Sequence, residues 1–427
     1  MADTDPPGTA ARRAALRLLD AVLRKGLPLE SALASATRDI ERGDDRAFAH
    51  AIAAEVLRRL PDLDALIDGA TAKPLPDDAK ARTALRIALI QPLALGTPQH
   101  AAISTVLPLV DGGPKRLVHG VFGSLMRSGA QLPPTPSLPA AVALRWAEAW
   151  GDGMAEAAAR AIAAPPPIDI TLRDAGRDPA VTAEWAERLE GVSLAPGHVR
   201  IPAGSSVPDL PGYADGAWWV QDISATLPAR LLGVGKGRHA IDLCAAPGGK
   251  TLQLAAAGWS VRAIDLVEAR LKRVRENLAR TRLQAKCVTA DALTFAPPEP
   301  VDAVLLDAPC SATGIFRRHP DVLHRVRPRA IEGLAERQSA MLARAADALK
   351  PGGTLIYSVC SLEPAEGEGV TDAFLASHPG FIADPVAQEE LPEGFAPDAA
   401  GRVRVLPGTL ADAGGADGFF VARFRKG

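Results

Sequence analysis

From residue 238 onward the chain alternates strand-like and helix-like segments, and this alternation constrains its fold more than any other feature. "RHAIDLCAAPGGKTLQLAAAG" (238–258) reads as a strand, a glycine-rich turn and a helix. "VRAIDL" (261–266), "AKCVTAD" (285–291), "VDAVLLDAPC" (301–310) and "GTLIYSVC" (353–360) read as four further strands. The helix after the second carries Leu271, Val274 and Leu278 on one face. Parallel neighbours need a long crossover, and a helix supplies it, so the pattern predicts a parallel α/β sheet. At the end, "RVRVLP" (402–407) and "GFFVARFRK" (418–426) alternate as a terminal antiparallel pair does.

The region before the sheet differs. Residues 11 to about 128 read as helices: Leu16, Leu19 and Leu23 share a face, and Leu85, Leu89, Leu93 and Leu117, Val121, Leu125 recur every four residues. "QLPPTPSLP" (131–139) reads as a linker, followed by a mixed segment to about 235 in which "APPPIDITLRD" and "LAPGHVRIP" are short strands. A chain of 427 residues is too long for one core, and two or three domains are expected. No apolar run approaches the ~20 residues that span a bilayer, and the acidic, proline-bearing start is not a signal peptide. A cytoplasmic protein is expected. Four cysteines without a CxxC pair predict free thiols, with neither a zinc site nor a disulfide framework. A net charge of −2 gives no global support for nucleic-acid binding, so such a function must rest on local basic patches.

Ligands of open parallel sheets bind beyond the carboxyl ends of the strands. "DLCAAPGGK" (242–250) stands there after the first strand, with Gly248 and Gly249 allowing close backbone approach. It matches neither GxGxxG nor a Walker loop. Asp265, Asp291 and Asp307 end the second, third and fourth strands. Singly, each is an ordinary cap or loop residue; together, around a glycine turn, they suit an adenosyl ligand without a pyrophosphate. S-adenosylmethionine is the natural candidate, another nucleoside the alternative.

Cys310 and Cys360 sit where the fourth and fifth strands run out, and sequential parallel strands are commonly neighbours. Free cysteine usually just packs. That reading suits Cys287, inside the third strand, and the Cys244 side chain. It suits Cys310 and Cys360 less well, because each stands where the chain leaves the core. Beside a methyl donor, a thiolate that adds to carbon 6 of a pyrimidine makes carbon 5 nucleophilic, and a second group assists its release. Spacing alone leaves the two cysteines interchangeable. A local positive field, from Lys250 or the loop "GIFRRHPDVLHRVRPR" (314–329), favours the thiolate. That loop holds five arginines, two histidines and one acidic residue. Its ordinary reading is a solvated charged loop; its sharper one is a phosphate contact through Arg317, Arg318, Arg325 and Arg327.

"DLCAAPGGKT", "AIDL", "TAD", "DAPCSATG" with "RRHPD", and "YSVCSLEPAEGE" resemble, in order, the motifs of RNA cytosine-5 methyltransferases of the RsmB/Nop/NSUN group. "DRAFAHAIAAEVLRR", "ALRIALIQPLALGTPQHAAISTVLPLV" and "KRLVHGVFGSLMR" resemble the NusB-like RNA-binding domain of the RsmB (Fmu/Sun) branch. The resemblance implies an all-α NusB-like domain (1–130), a linker with a small mixed subdomain (131–235), and a Rossmann-like S-adenosylmethionine-dependent methyltransferase domain (236–427). It implies Cys360 as nucleophile and Cys310 as the group assisting release. Cys244, Ala245, Ala246, Pro247, Gly248, Gly249 and Lys250, with Asp265, Asp291 and Asp307, are implied to hold the cofactor, and Asp307 to touch the target base. The implied substrate is one cytosine of small-subunit ribosomal RNA, acted on by a monomer without metal or membrane. Val359, His119 and "ITLRD" depart from the family's usual Thr, Asn and "LRVN". The same chemistry on transfer RNA, or an RNA-binding assembly factor with an inactive catalytic domain, are the alternatives.

Overall fold

The computed structural model describes residues 5–174 and 179–427; the first four residues of the acidic start lie outside them. The chain forms two compact units, Met1–Ala164 with Phe316–Val326, and Pro165–Ile315 with Arg327–Gly427.

The first unit is helical, from Thr9–Leu23 through Gly153–Ile162. Leu19, Leu85 and Leu89 are fully buried. On the helix Gly112–Arg127, however, Leu117 is 37% exposed, and the buried stripe is Val118, Val121, Phe122 and Leu125. A strict four-residue spacing drifts around a 3.6-residue helix and carries Leu117 over the edge. The 131–139 segment is tied down rather than free: Arg59 donates to the Pro133 carbonyl (2.6 Å) and the Ser137 amide donates to Asp62 (3.1 Å). The unit continues past 130 through Ala140–Trp150 and Gly153–Ile162, whose Trp146 and Ile162 are fully buried.

The arginine-rich loop supplies part of this helical unit. Phe316 packs on Trp146, with ring centroids 5.4 Å apart. Asp321 accepts from the Leu29 amide (3.4 Å) and pairs with Arg325 (2.9 Å). The His324 ring donates to the Leu57 carbonyl (2.7 Å). Beyond it, one helix runs from Pro328 to Asp347.

The second unit contains two sheets. The smaller has order β2-β3-β1-β4, from β1 (Ile168–Leu172), β2 (Val192–Ala195), β3 (His198–Ile201) and β4 (Trp218–Val220). The larger is built from β5 (His239–Leu243), β6 (Ser260–Asp265), β7 (Lys286–Thr289), β8 (Val301–Asp307), β9 (Leu349–Val359), β10 (Phe381–Ala383), β11 (Val403–Val405) and β12 (Phe419–Lys426). Its order is β10-β12-β9-β8-β5-β6-β7, with β11 on β12. The five expected strands are parallel, and β12 runs antiparallel to β9, β10 and β11. Side chains of β8 alternate between two cores: Val304 and Leu306 on one face, Ala303 and Leu305 on the other. Burial on both faces is why these strands read as continuous apolar runs. The strand order reverses at β5, between β8 and β6, and a crevice opens there.

Candidate active site

The turn after β5 forms one wall of that crevice. Cys244 has φ 61° and Gly248 φ 111°. A Cβ at Gly248 would stand 3.2 Å from Val274 Cγ1, so both backbone angle and space call for glycine before the helix Gly249–Ala256. The Ala246–Pro247 peptide is cis. Asp265 ends β6 and holds the turn: its Oδ2 accepts from the Ala246 amide (3.2 Å) and pairs with Arg270 (3.3 Å), which also donates to the Ala246 carbonyl (2.9 Å). Asp291 lies two residues beyond β7, half-buried, and caps its own turn through the Leu293 amide (3.0 Å).

Opposite stands the segment around β4 of the small sheet. Tyr213, Trp219, Gln221 and Asp222 line the same cleft as Asp242, the Cys244–Pro247 turn, Gly249, Lys250 and Asp307. Its volume, ≈ 330 Å³, is at the lower end of small-molecule sites. Arg280 fixes this wall by donating to the Tyr213 and Trp218 carbonyls (2.9 and 3.0 Å). The sequence reading missed the wall because it comes from a separate sheet.

Asp242 closes the floor. It is fully buried; Oδ2 accepts from Thr251 (2.5 Å), while the buried Oδ1 has no hydrogen-bond partner among the described residues. Burial, with Asp307 and Asp265 adding, pushes its carboxyl up to about 7 against the pull of Thr251 and Lys250. Asp307 ends β8 between two donors, Lys250 Nζ (2.7 Å) and Ser358 Oγ (2.9 Å). Burial lowers the Lys250 ammonium, but Asp307, Asp242 and Cys360 outweigh it and hold it above the usual lysine range.

The two strand-end thiols meet. β8 and β9 are paired in parallel with Asp307 opposite Ser358, and just beyond, Cys310 Sγ and Cys360 Sγ are 3.5 Å apart. Cys310 is pushed well above the ordinary thiol range, first by its hydrogen bond with Cys360, then by burial and the Glu366 charge. Burial, then Asp307, Asp265 and Asp242, push the Cys244 thiol up to about 12, and burial raises Cys287. Neither offers a thiolate.

Of the four arginines expected to meet phosphate, Arg317 is only 2% exposed and is withdrawn from solvent. Arg318 and Arg325 are half-buried, Arg325 against Asp321, and Arg327 is exposed. The basic composition of the loop did not reveal that Phe316, Val322 and Leu323 bury it.

A model of the 16S rRNA methyltransferase RsmB/F family matches residues 229–425, and one of the NusB family matches 9–121. The chain is 38% identical over 435 residues to ribosomal RNA small subunit methyltransferase B of Xylella fastidiosa, covering 98% of each. It is 34% identical to the protein of the same name from Pseudomonas putida, covering 97% of this chain and 98% of that one. Its fold resembles the crystal structure of PH0851 (TM-score 0.75, 24% identity, 98% of this chain and 99% of that one). It also resembles NSun6 from Pyrococcus horikoshii with SFG (TM-score 0.58, 19% identity, 68% and 98%). The chain belongs to the RsmB/F family of 16S rRNA methyltransferases, its catalytic region preceded by a NusB-family domain.

Proposed function

We propose that this small-subunit rRNA methyltransferase methylates carbon 5 of a cytosine through a covalent adduct between Cys360 and carbon 6. The observation that carries this reading is the pair of thiols 3.5 Å apart at the ends of adjacent strands. The bond with Cys360 and burial push the Cys310 thiol up, and the charge of Cys360 is among those that hold the Lys250 ammonium above its usual range.

The cofactor is S-adenosylmethionine, and the cleft suits it. The turn from Cys244 to Lys250 offers a backbone cradle without phosphate-binding geometry, and the unpartnered Asp242 oxygen offers an acceptor for an ammonium group. Asp265, Asp291 and Asp307 complete the set assigned to cofactor and base. Bound there, S-adenosylmethionine supplies an electrophilic methyl group. The Cys360 thiolate forms the bond to carbon 6, which turns carbon 5 into an enamine-like nucleophile. The Lys250 ammonium favours that thiolate. After methylation the carbon 5 proton passes to water, its bonding pair re-forms the carbon 5–carbon 6 double bond, and the sulfur–carbon pair returns to Cys360 as thiolate, restoring the pyrimidine; Cys310 serves this release. Lys250 and Ser358 fix Asp307 where a base amino group can donate to it. Exposed Arg327 is assigned to the RNA backbone.

Mapping 5-methylcytosine in 16S rRNA from cells with and without the gene tests the reading. Loss of methylation at one cytosine is expected. An unchanged map, or loss in transfer RNA alone, overturns it.

A further inference from the structure

Behind the two thiols lies a buried polar cluster that this chemistry does not use. Ser311 and Ser361 directly follow Cys310 and Cys360. Both hydroxyls donate to Oε2 of Glu366, that of Ser361 at 2.5 Å. Oε1 accepts from the Ser311 amide and the Gln338 side chain, both at 2.9 Å. Gln338 also donates to the carbonyl of Pro309, the residue before Cys310 (2.9 Å). Glu366 is fully buried, and its own backbone is held by Tyr357, whose hydroxyl donates to its carbonyl (2.6 Å).

Among the described residues, the side-chain partners of Glu366 are neutral donors. A buried carboxylate satisfied in this way is a poor choice for stability alone, since well-packed apolar side chains do as well or better. What it does accomplish is geometric. The cysteine-bearing loops leave different strands, and Glu366 ties the residue after each cysteine to one carboxylate. We propose that Glu366 is a positioning residue that keeps the two thiols at reacting distance. The proposal rests on reading Cys310 and Cys360 as the reacting pair.

Diamide oxidation tests it without RNA, so its outcome is separable from that of the methylation map. Diamide is reduced to the hydrazine as two thiols become one disulfide, and peptide mass spectrometry reports the rate of the Cys310–Cys360 link. Glu366→Gln keeps one acceptor oxygen but turns an N–H toward the two serine hydroxyls. We expect it to retain cofactor affinity, to pair its thiols at least about tenfold more slowly, and to lose kcat by a similar factor with KM for RNA unchanged. Ser361→Ala, which leaves the carboxylate and its other bonds in place, is expected to slow pairing to a lesser degree and decides the matter if Glu366→Gln does not fold. Pairing at the wild-type rate in the folded variants overturns the proposal, as does a wild-type protein whose two thiols do not pair.

Discussion

Asp242→Asn probes the floor of the cleft. The wild-type carboxyl is raised from 3.8 to about 7, chiefly by burial. Between those values the folded protein holds a proton that the unfolded chain has lost. Stability therefore falls as pH rises through this window, and the full penalty stands above pH 7. At ~1.4 kcal/mol per unit the rise amounts to about 4 kcal/mol, an order-of-magnitude figure for a group with no exposure. Asparagine cannot titrate, and its amide oxygen can still accept from Thr251. The stability of the variant relative to wild type should thus climb by about 4 kcal/mol between pH 4 and pH 8. For a catalytic unit of this size that is roughly 10 °C in the relative melting temperature. Calorimetric scans of both proteins at matched pH values give the difference directly, and titrations common to both cancel. A difference that stays flat from pH 4 to pH 8 would refute the reasoning, because it would mean that Asp242 is ionised at its ordinary value. The same carboxylate links the floor to the cofactor: wild-type affinity for S-adenosylmethionine should rise as pH passes 7, and the variant should lack that rise.

Cys360→Ala is expected to abolish methyl transfer while cofactor binding, followed by calorimetric titration, stays at the wild-type level; retained transfer would remove it as nucleophile. Gly248→Ala forces φ 111° on a residue with a side chain and sets its Cβ 3.2 Å from Val274. It should cost about 1–3 kcal/mol and weaken cofactor binding, read by denaturation and titration. Arg327→Ala should lower the slope of log affinity for RNA against log salt by about 1, whereas buried Arg317→Met should leave the slope alone and lower the stability of the helical unit. Equal slopes for Arg327→Ala and wild type would return that residue to an ordinary surface role.

The sheet was legible because its strands are buried on both faces and carry their apolar runs openly. All five parallel strands and the terminal antiparallel pair stand where their patterns lie, while β10, only Phe381–Ala383, is too short to leave a period. The thiol pair was legible from strand ends, since parallel neighbours bring equivalent ends together. What escaped depends on contacts distant in sequence. Leu117 followed a four-residue repeat that the helix does not keep. The 316–326 segment reads as basic and solvated, but Phe316, Val322 and Leu323 commit it to the helical unit. Glu366 stands within the "CSLEPAEGE" stretch, yet its role comes from Ser311, 55 residues away. No local pattern marks that meeting.

The division of labour between the thiols is tested most directly by Cys310→Ala incubated with 16S rRNA and S-adenosylmethionine, followed by nuclease digestion and peptide mass spectrometry. The prediction is a stalled protein–RNA adduct in which a methylated cytosine is linked to Cys360. An active variant that accumulates no adduct, or a link to any other residue, contradicts the account; so does an adduct that accumulates with Cys360→Ala and is linked to Cys310.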